Sequence, residues 1–182
     1  ADHIDAGVWK SNLRQLAAQR ADEKGITPRD IRAREVGHND ADPDPDRIEL
    51  DCLTYEAGGG TEHFLSVEDP VADLLIGFCR LRFPNDPVRR ELADAALVRE
   101  LHVYGSEAGI HDGEGDGDGG DWQHRGYGRR LLSRAEELAA AAGYDKLSVI
   151  SGIGVRRYYR EKLGYYQDGP YVSTDLGRRS RP

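Results

Sequence analysis

The hexapeptide QHRGYG at residues 123–128 places two glycines and two basic side chains directly before an apolar-periodic stretch. Glycine lets a backbone approach a ligand without a clash from Cβ. The start of a helix exposes unpaired N–H groups and carries about half a positive charge. The segment therefore predicts a pyrophosphate site at a helix start, with Arg125 and Arg130 adding charge-assisted hydrogen bonds.

Two other phosphate-binding motifs fit this segment poorly. A dinucleotide-binding fold needs G-x-G-x-x-G directly after a strand and an acidic residue at the end of the next strand. Here a long loop precedes the glycines, and Ser151 and Gly152 end the next predicted strand. The P-loop lysine is missing. Upstream, residues 105–121 are rich in Gly, Asp and Glu, but their spacing differs from an EF-hand, so we expect a solvated loop.

The composition bounds the class of protein. A chain of 182 residues forms one domain, or one domain with an extension. Its net charge of −8 argues against attraction of nucleic acid to the whole surface. Clustered aspartates favour salt adaptation, with disorder of the same segments as the alternative. Residues 10–34 nevertheless hold a local basic excess, which could contact nucleic acid or another partner.

Cysteine usage and hydropathy indicate the compartment. Cys52 and Cys79 each lie in an apolar, strand-like run and are predicted to be buried free thiols, which is typical of the cytoplasm. No run approaches the roughly 20 apolar residues that span a bilayer, so no membrane association is expected. No signal peptide is visible. The chain has no Met and begins with Ala, so we expect a processed product or a piece of a longer protein.

Hydrophobic periodicity predicts the elements that position these residues. A helix is predicted over residues 5–24, where Trp9, Leu13, Leu16 and Ala17 form an apolar stripe, and an Asp/Pro linker over 38–47. Strands are predicted at 47–56, 62–69, 73–83, 96–105, 145–151 and 171–173, and further helices at 127–142 and 154–164. This order predicts an α/β or α+β fold with one central sheet.

The glycine segment resembles the Gln/Arg-x-x-Gly-x-Gly/Ala loop with which GNAT acyltransferases hold the pyrophosphate of coenzyme A. Six blocks in order resemble the C-terminal acetyltransferase domain of the elongator protein 3 family, in its archaeal versions: FLSVED, LIGFCRLRFP, ALVRELHVYG, WQHRGYGRRLL, KLSVISGIGVRRYYREKLGY and GPYV. The resemblance implies the GNAT acyl-CoA N-acyltransferase fold, with a mixed, mainly antiparallel sheet flanked by helices. It also implies that residues 1–47 are a helical connector and residues 48–182 the acetyltransferase domain.

The resemblance further implies binding and hydrolysis of acetyl-CoA by a cytoplasmic enzyme that modifies C5 of the wobble uridine of tRNA. Acetyl-CoA and tRNA are the implied partners, together with a radical-SAM domain that carries the iron–sulfur cluster and S-adenosylmethionine. That domain is missing from this chain. Where relatives have zinc-binding cysteines in the connector, this chain has Asp30, Ala33 and their neighbours, so no metal is predicted.

Residue roles follow from the resemblance as expectations. The pyrophosphate is expected to bind the backbone of the loop that contains Gln123, His124, Arg125, Gly126, Tyr127 and Gly128. The pantetheine is expected along a strand edge that splays from the next strand, at Leu101, His102 and Val103. The candidate catalytic residues are Tyr158, Tyr159, Glu100 and His102, and the candidate tRNA contacts are Lys10 and Arg14.

Structural roles remain open for several of these residues. Adjacent helical residues point about 100° apart, so one tyrosine could face the core. Glu100 and His102 share a strand face, where the alternatives are a salt-bridged Glu and a packed His. The basic N-terminal helix could instead pack against the missing domain. Two other functions also remain: an amine acetyltransferase acting on a protein lysine or small molecule, and a non-catalytic module that binds acyl-CoA or tRNA.

Overall fold

The computed structural model describes residues 12–39, 42–104 and 126–177. Its helices are α1 Leu13–Glu23, α2 Ile31–Arg34, α3 Tyr127–Ala141 and α4 Arg156–Leu163. Its strands are β1 Glu49–Glu56, β2 Gly60–Asp69, β3 Leu74–Pro84, β4 Ala95–Val103, β5 Lys146–Val149, β6 Tyr166–Asp168 and β7 Tyr171–Asp175. They form one seven-stranded sheet in the order β1-β2-β3-β4-β5-β7-β6. Among the seven strands of the described residues, only β4 and β5 pair with each other in parallel, which confirms the predicted mainly antiparallel sheet.

The first four strands, each of which the sequence predicts, form an antiparallel meander. The β1–β2 hairpin turns at Gly58 and Gly59, whose φ angles of +53° and +70° lie in the region that glycine adopts at little cost. Between β4 and β5 the chain crosses over through α3, because parallel neighbours need a long connection. This crossover places the start of α3 at one end of the sheet.

Helix α3 covers the sheet with the apolar stripe that its sequence predicts. Leu131, Leu132, Ala135 and Ala139 are buried in the main core. Each fully buried leucine stabilises the fold by about 1.5–3 kcal/mol relative to an exposed one. The helix stops one residue before Ala142, which is exposed. Gly143 then adopts a φ of +90°, as expected for a residue that ends a helix.

The C-terminal segment contains one strand more than predicted. The sequence predicts a turn at Gly169-Pro170 followed by a strand, but the structure has a hairpin in which β6 pairs with β7. Strand β6 has only three residues and two of them are exposed, so it shows no apolar alternation from which it could be predicted.

Helix α1 differs from the prediction in its packing. None of its residues is buried, and Leu13 is 53% exposed. Trp9 lies outside the described residues. An apolar stripe predicts that a helix has a partner, but within residues 12–39, 42–104 and 126–177 nothing covers this one.

The segment between α1 and β1, which is part of the predicted connector, is attached to the sheet by ion pairs and hydrogen bonds. Arg34 pairs with both Glu68 and Asp73 beside the β2–β3 turn. The predicted linker also forms a short 3-10 turn, Pro45–Arg47, and the Asp44 N–H donates to Asp69 at 3.0 Å. Residues 29–39 and 42–47 therefore lie against one end of the sheet.

Both cysteines are free, as predicted, although only Cys79 is buried and Cys52 is half-buried. Burial raises the pKa of the Cys79 thiol to about 12, so the thiol stays protonated at neutral pH. Among the described residues, no three His, Cys, Asp or Glu side chains are grouped to hold a metal ion. In the same part of the chain, no helix has the length and apolar character needed to cross a membrane.

Candidate functional site

The start of α3 has the features of an anion-binding helix terminus. Gly126 is the N-cap residue and has a φ of +78°, and no described side chain caps the helix. The first turn contains no acidic residue but does contain Arg129 and Arg130. A helix N-terminus favours negative charge, so two cations and no acid leave it suited to an anion from outside the protein. Gln123, His124 and Arg125 lie outside the described residues.

Strands β4 and β5 part beside this helix start, as predicted. Their parallel pairing ends at Val98 and Val149, and the Ile150 N–H makes a last bond of 2.9 Å to the Val98 carbonyl. Strand β4 then continues to Val103 and pairs with β3. A bulge at the point of departure leaves Arg99 without a cross-strand counterpart in β3. Bulges bend a strand, which accounts for the divergence here.

The hydrogen bond at the end of β4 shows which way the peptide groups of this strand point. The Tyr104 N–H donates to the Ile76 carbonyl at 2.9 Å, on the side of β3. Backbone groups alternate in an antiparallel strand, so those of Leu101 and Val103 point away from β3, toward the side that β5 has left. A Cβ on Gly128 would lie 3.5 Å from Val103 Cγ2, so the start of α3 adjoins the end of β4. The fold thus brings the two predicted carrier-binding segments together.

Glu100 and His102 lie on one face of β4, as predicted, and both are engaged there. Glu100 pairs with Arg80 at 3.3 Å. The His102 ring stacks near Phe78 at 6.2 Å and packs against Tyr104 at 4.5 Å. The ion pair with Arg80 matches the salt-bridged alternative for Glu100. His102 has ring contacts but an exposed side chain, and such contacts do not occupy its nitrogens.

The tyrosine pair on α4 divides between the core and the surface. Tyr159 is 6% exposed and Tyr158 is 50% exposed. Tyr159 packs edge-on against Tyr165 at 5.5 Å and belongs to the main hydrophobic core. Burial, with smaller effects from Cys79 and Tyr158, raises the pKa of Tyr159 to about 12. Its phenol therefore keeps its proton at neutral pH.

Of the two predicted tRNA contacts, the structure describes only Arg14, because Lys10 lies outside the described residues. Arg14 donates to Asp30 at 2.7 Å, and this bond lowers the pKa of the Asp30 carboxyl. The guanidinium remains largely exposed, with a side-chain exposure of 61%. A phosphate would have to compete with Asp30 for it, and solvent screening keeps an exposed ion pair of this kind weak.

Three residues near the site are missing from the sequence-based prediction. Arg129 could have been included with Arg130, because both fall in the first turn of the predicted helix. No local sequence pattern marks Glu35 or Tyr104, because only the folded sheet brings the connector to the end of β4. The Tyr104 pKa is raised to about 12, first by burial and then by Glu35, to which the hydroxyl is hydrogen-bonded.

Comparison with known proteins agrees with this geometry. Residues 29–165 match the acetyltransferase (GNAT) family. The chain is 48% identical over 176 residues to a tRNA uridine(34) acetyltransferase of Methanocaldococcus infernus and 47% identical over 179 residues to Elongator complex protein 3 of Schizosaccharomyces pombe. These matches cover 93% and 95% of the chain but 32% of each relative, so the chain spans about a third of their length.

A solved structure shows the same fold. The archaeal Methanocaldococcus infernus Elp3 with an N-terminal deletion superposes with a TM-score of 0.80 at 46% identity, over 91% of this chain and 39% of that one. The family match covers most of the chain, and the splayed strands and helix start lie within it. The chain therefore belongs to the acetyltransferase (GNAT) family.

Proposed function

We propose that this chain binds and hydrolyses acetyl-CoA as the acetyltransferase domain of an enzyme that modifies the wobble uridine of tRNA at C5. The observation that carries the proposal is the placement of an uncapped, arginine-flanked helix start against a strand edge that its neighbour has left. The names of the relatives support the tRNA substrate, since they include a tRNA uridine(34) acetyltransferase.

In this proposal the carrier is held mainly by backbone. The N–H groups in the first turn of α3 donate to its diphosphate, and Arg129 and Arg130 add charge from the same turn. The peptide groups at Leu101 and Val103 hydrogen-bond the pantetheine amides along the open edge of β4. When bound, acetyl-CoA supplies an acetyl thioester at the point where β4 and β5 part.

The α4 tyrosines are assigned to the thioester. A phenol that keeps its proton can donate a hydrogen bond to a carbonyl oxygen or a proton to a departing thiolate. Tyr159 has the protonated phenol and is assigned as the donor. Tyr158 is exposed beside it, with ring centroids 6.0 Å apart, and is assigned to positioning the acyl group.

The wider setting is also part of the proposal. The protein would be archaeal, salt-adapted and cytoplasmic, and would work beside a radical-SAM domain that carries the iron–sulfur cluster and S-adenosylmethionine. Lys10 and Arg14 would add a salt-dependent contact to tRNA phosphates. Substituting both by Ala should lower tRNA affinity and reduce its salt dependence, and unchanged binding would exclude this contact.

An amine acetyltransferase would need a base free to deprotonate the acceptor. Glu100 is paired with Arg80, which does not favour Glu100 as that base. The ring contacts of His102 do not occupy its nitrogens, so His102 is the base that this alternative would use. A non-catalytic module would bind the carrier without cleaving it.

One assay separates the three functions. Release of free coenzyme A from acetyl-CoA is measured for the chain alone, with tRNA and with lysine peptides or small amines. We expect tRNA to stimulate release. Stimulation by amines alone would favour the amine acetyltransferase, and binding without any release would favour the non-catalytic module.

A further inference from the structure

The connector reaches the end of β4 through a buried carboxylate. Glu35 is 5% exposed and accepts a hydrogen bond of 2.7 Å from Arg32. It is also hydrogen-bonded to the hydroxyl of Tyr104, the residue that directly follows β4. A carboxylate at this depth requires partners, because an unpaired buried charge is strongly destabilising. Tyr104 and Arg32 provide them.

The backbone makes the same connection. Glu35 forms a parallel bridge with Leu75 of β3, and the next residue of β3, Ile76, accepts the N–H of Tyr104. The connector therefore takes the place beside β3 just beyond the point where β4 ends. Arg34 fixes this register through its ion pairs with Glu68 and Asp73.

The Tyr104 ring links the connector to the side chains of β4 and β3. It packs against His102 at 4.5 Å and lies 6.3 Å from Phe78. Val103 thus lies between His102, which packs on β3, and Tyr104, which contacts both β3 and the connector. The Val103 side chain adjoins the start of α3 at Gly128.

We infer that Glu35, in the connector, and Tyr104, directly after β4, are positioning residues. Their contact fixes the position of the β4 edge that binds the carrier. The inference rests on the proposed function, since it takes Leu101 and Val103 as the segment that binds the carrier. Its consequence is coupling: a partner that moves the connector alters the affinity for acyl-CoA, and the carrier alters the partner's affinity by the same factor.

The test measures acetyl-CoA affinity by calorimetry and KM and kcat for thioester cleavage, using the full chain. Tyr104→Phe removes only the hydroxyl and should weaken binding about tenfold, a size typical of coupling through positioning residues, with KM raised and kcat nearly unchanged. Glu35→Gln keeps an acceptor oxygen for the hydroxyl and should stay within about twofold of the unsubstituted chain. Amide exchange at Tyr104, whose N–H donates to the Ile76 carbonyl of β3, should accelerate in Tyr104→Phe.

Tyr166→Phe is the matched control. The Tyr166 hydroxyl donates to Asp175 at 2.8 Å, a bond of the same type, but it lies on β6 at the far edge of the sheet. Tyr166→Phe should lower the melting temperature and leave affinity unchanged.

Three outcomes would overturn the inference. The first is an affinity for Tyr104→Phe that equals that of the control. The second is a loss of affinity in Tyr104→Phe without faster amide exchange at Tyr104, because the hydroxyl would then act on the carrier directly and not by holding the strand. Either would leave the proposed function standing. The third is an unsubstituted chain that binds no acetyl-CoA, which would remove the proposed function as well.

Discussion

Replacing Gly128 by alanine should change stability and carrier binding in opposite directions. Gly128 lies in the first turn of α3 without a positive φ, so alanine can adopt its backbone conformation. The nearest atom to the new Cβ is Val103 Cγ2 at 3.5 Å, an ordinary van der Waals separation. Alanine is favoured over glycine in helices by up to about 1 kcal/mol. The free protein should therefore gain about 0.5–1 kcal/mol of unfolding free energy.

The same methyl group should weaken binding, because the proposed function places the diphosphate against the Gly128 backbone, where glycine permits an approach that a Cβ obstructs. In that position the diphosphate accepts from the N–H groups of the helix start. Displacing the diphosphate from one charge-assisted hydrogen bond costs about 1.5–3 kcal/mol, which corresponds to about a tenfold to hundredfold loss of affinity. Thermal unfolding without ligand and calorimetric titration with coenzyme A measure the two effects separately.

Ser133→Ala is the control on the same helix. Ser133 is exposed and lies beyond the first turn, so alanine should raise stability through helix propensity and leave affinity unchanged. If Gly128→Ala raises the melting temperature and binds coenzyme A as tightly as the unsubstituted chain, the diphosphate does not lie against the Gly128 backbone, and its placement at this helix start is refuted.

Three further predictions concern other parts of the site and sheet. Gly77→Ala would place a Cβ 2.8 Å from the His102 carbonyl oxygen, so it should separate β3 from β4, lower the melting temperature and weaken coenzyme A binding in calorimetry. Burial lowers the pKa of His63 from its usual 6.5, so its contribution to stability is complete above about pH 6.5 and is lost as the pH falls below that value. Melting curves between about pH 7 and 5 should show this loss, and His63→Gln should reduce it; an unchanged slope would contradict the assignment. Tyr159→Phe should lower kcat for thioester cleavage while Tyr158→Phe acts mainly on KM, and equal kcat for Tyr159→Phe and the unsubstituted chain would exclude the phenol as the proton donor.

Much of the fold could be predicted from periodicity. Strands β1 to β4 have apolar alternation or continuous apolar runs, and α3 has an apolar stripe ended by glycine, so local sequence and tertiary packing favour the same structure. Strand β6 could not be predicted, because three polar or exposed residues become a strand only when β7 pairs with them. The stripe on α1 predicted a burial that the described part of the chain does not provide.

The candidate site was predictable where the signal is local. Glycines before a helix indicate an anion site whatever the rest of the fold does, and the structure brings Gly128 to the end of β4. The bulge at Arg99 leaves no mark in the sequence, since it depends on the register with β3. The pairing of Glu35 with Tyr104 joins segments far apart in the chain, so only the folded sheet shows it.

The most direct test of the account is amide chemical-shift mapping of the isotope-labelled chain during titration with acetyl-CoA. The account predicts saturable shifts concentrated in the first turn of α3, from Tyr127 to Arg129, and along Leu101 and Val103 of β4. Absence of shifts at saturating carrier, or shifts confined to a different part of the sheet, would contradict it.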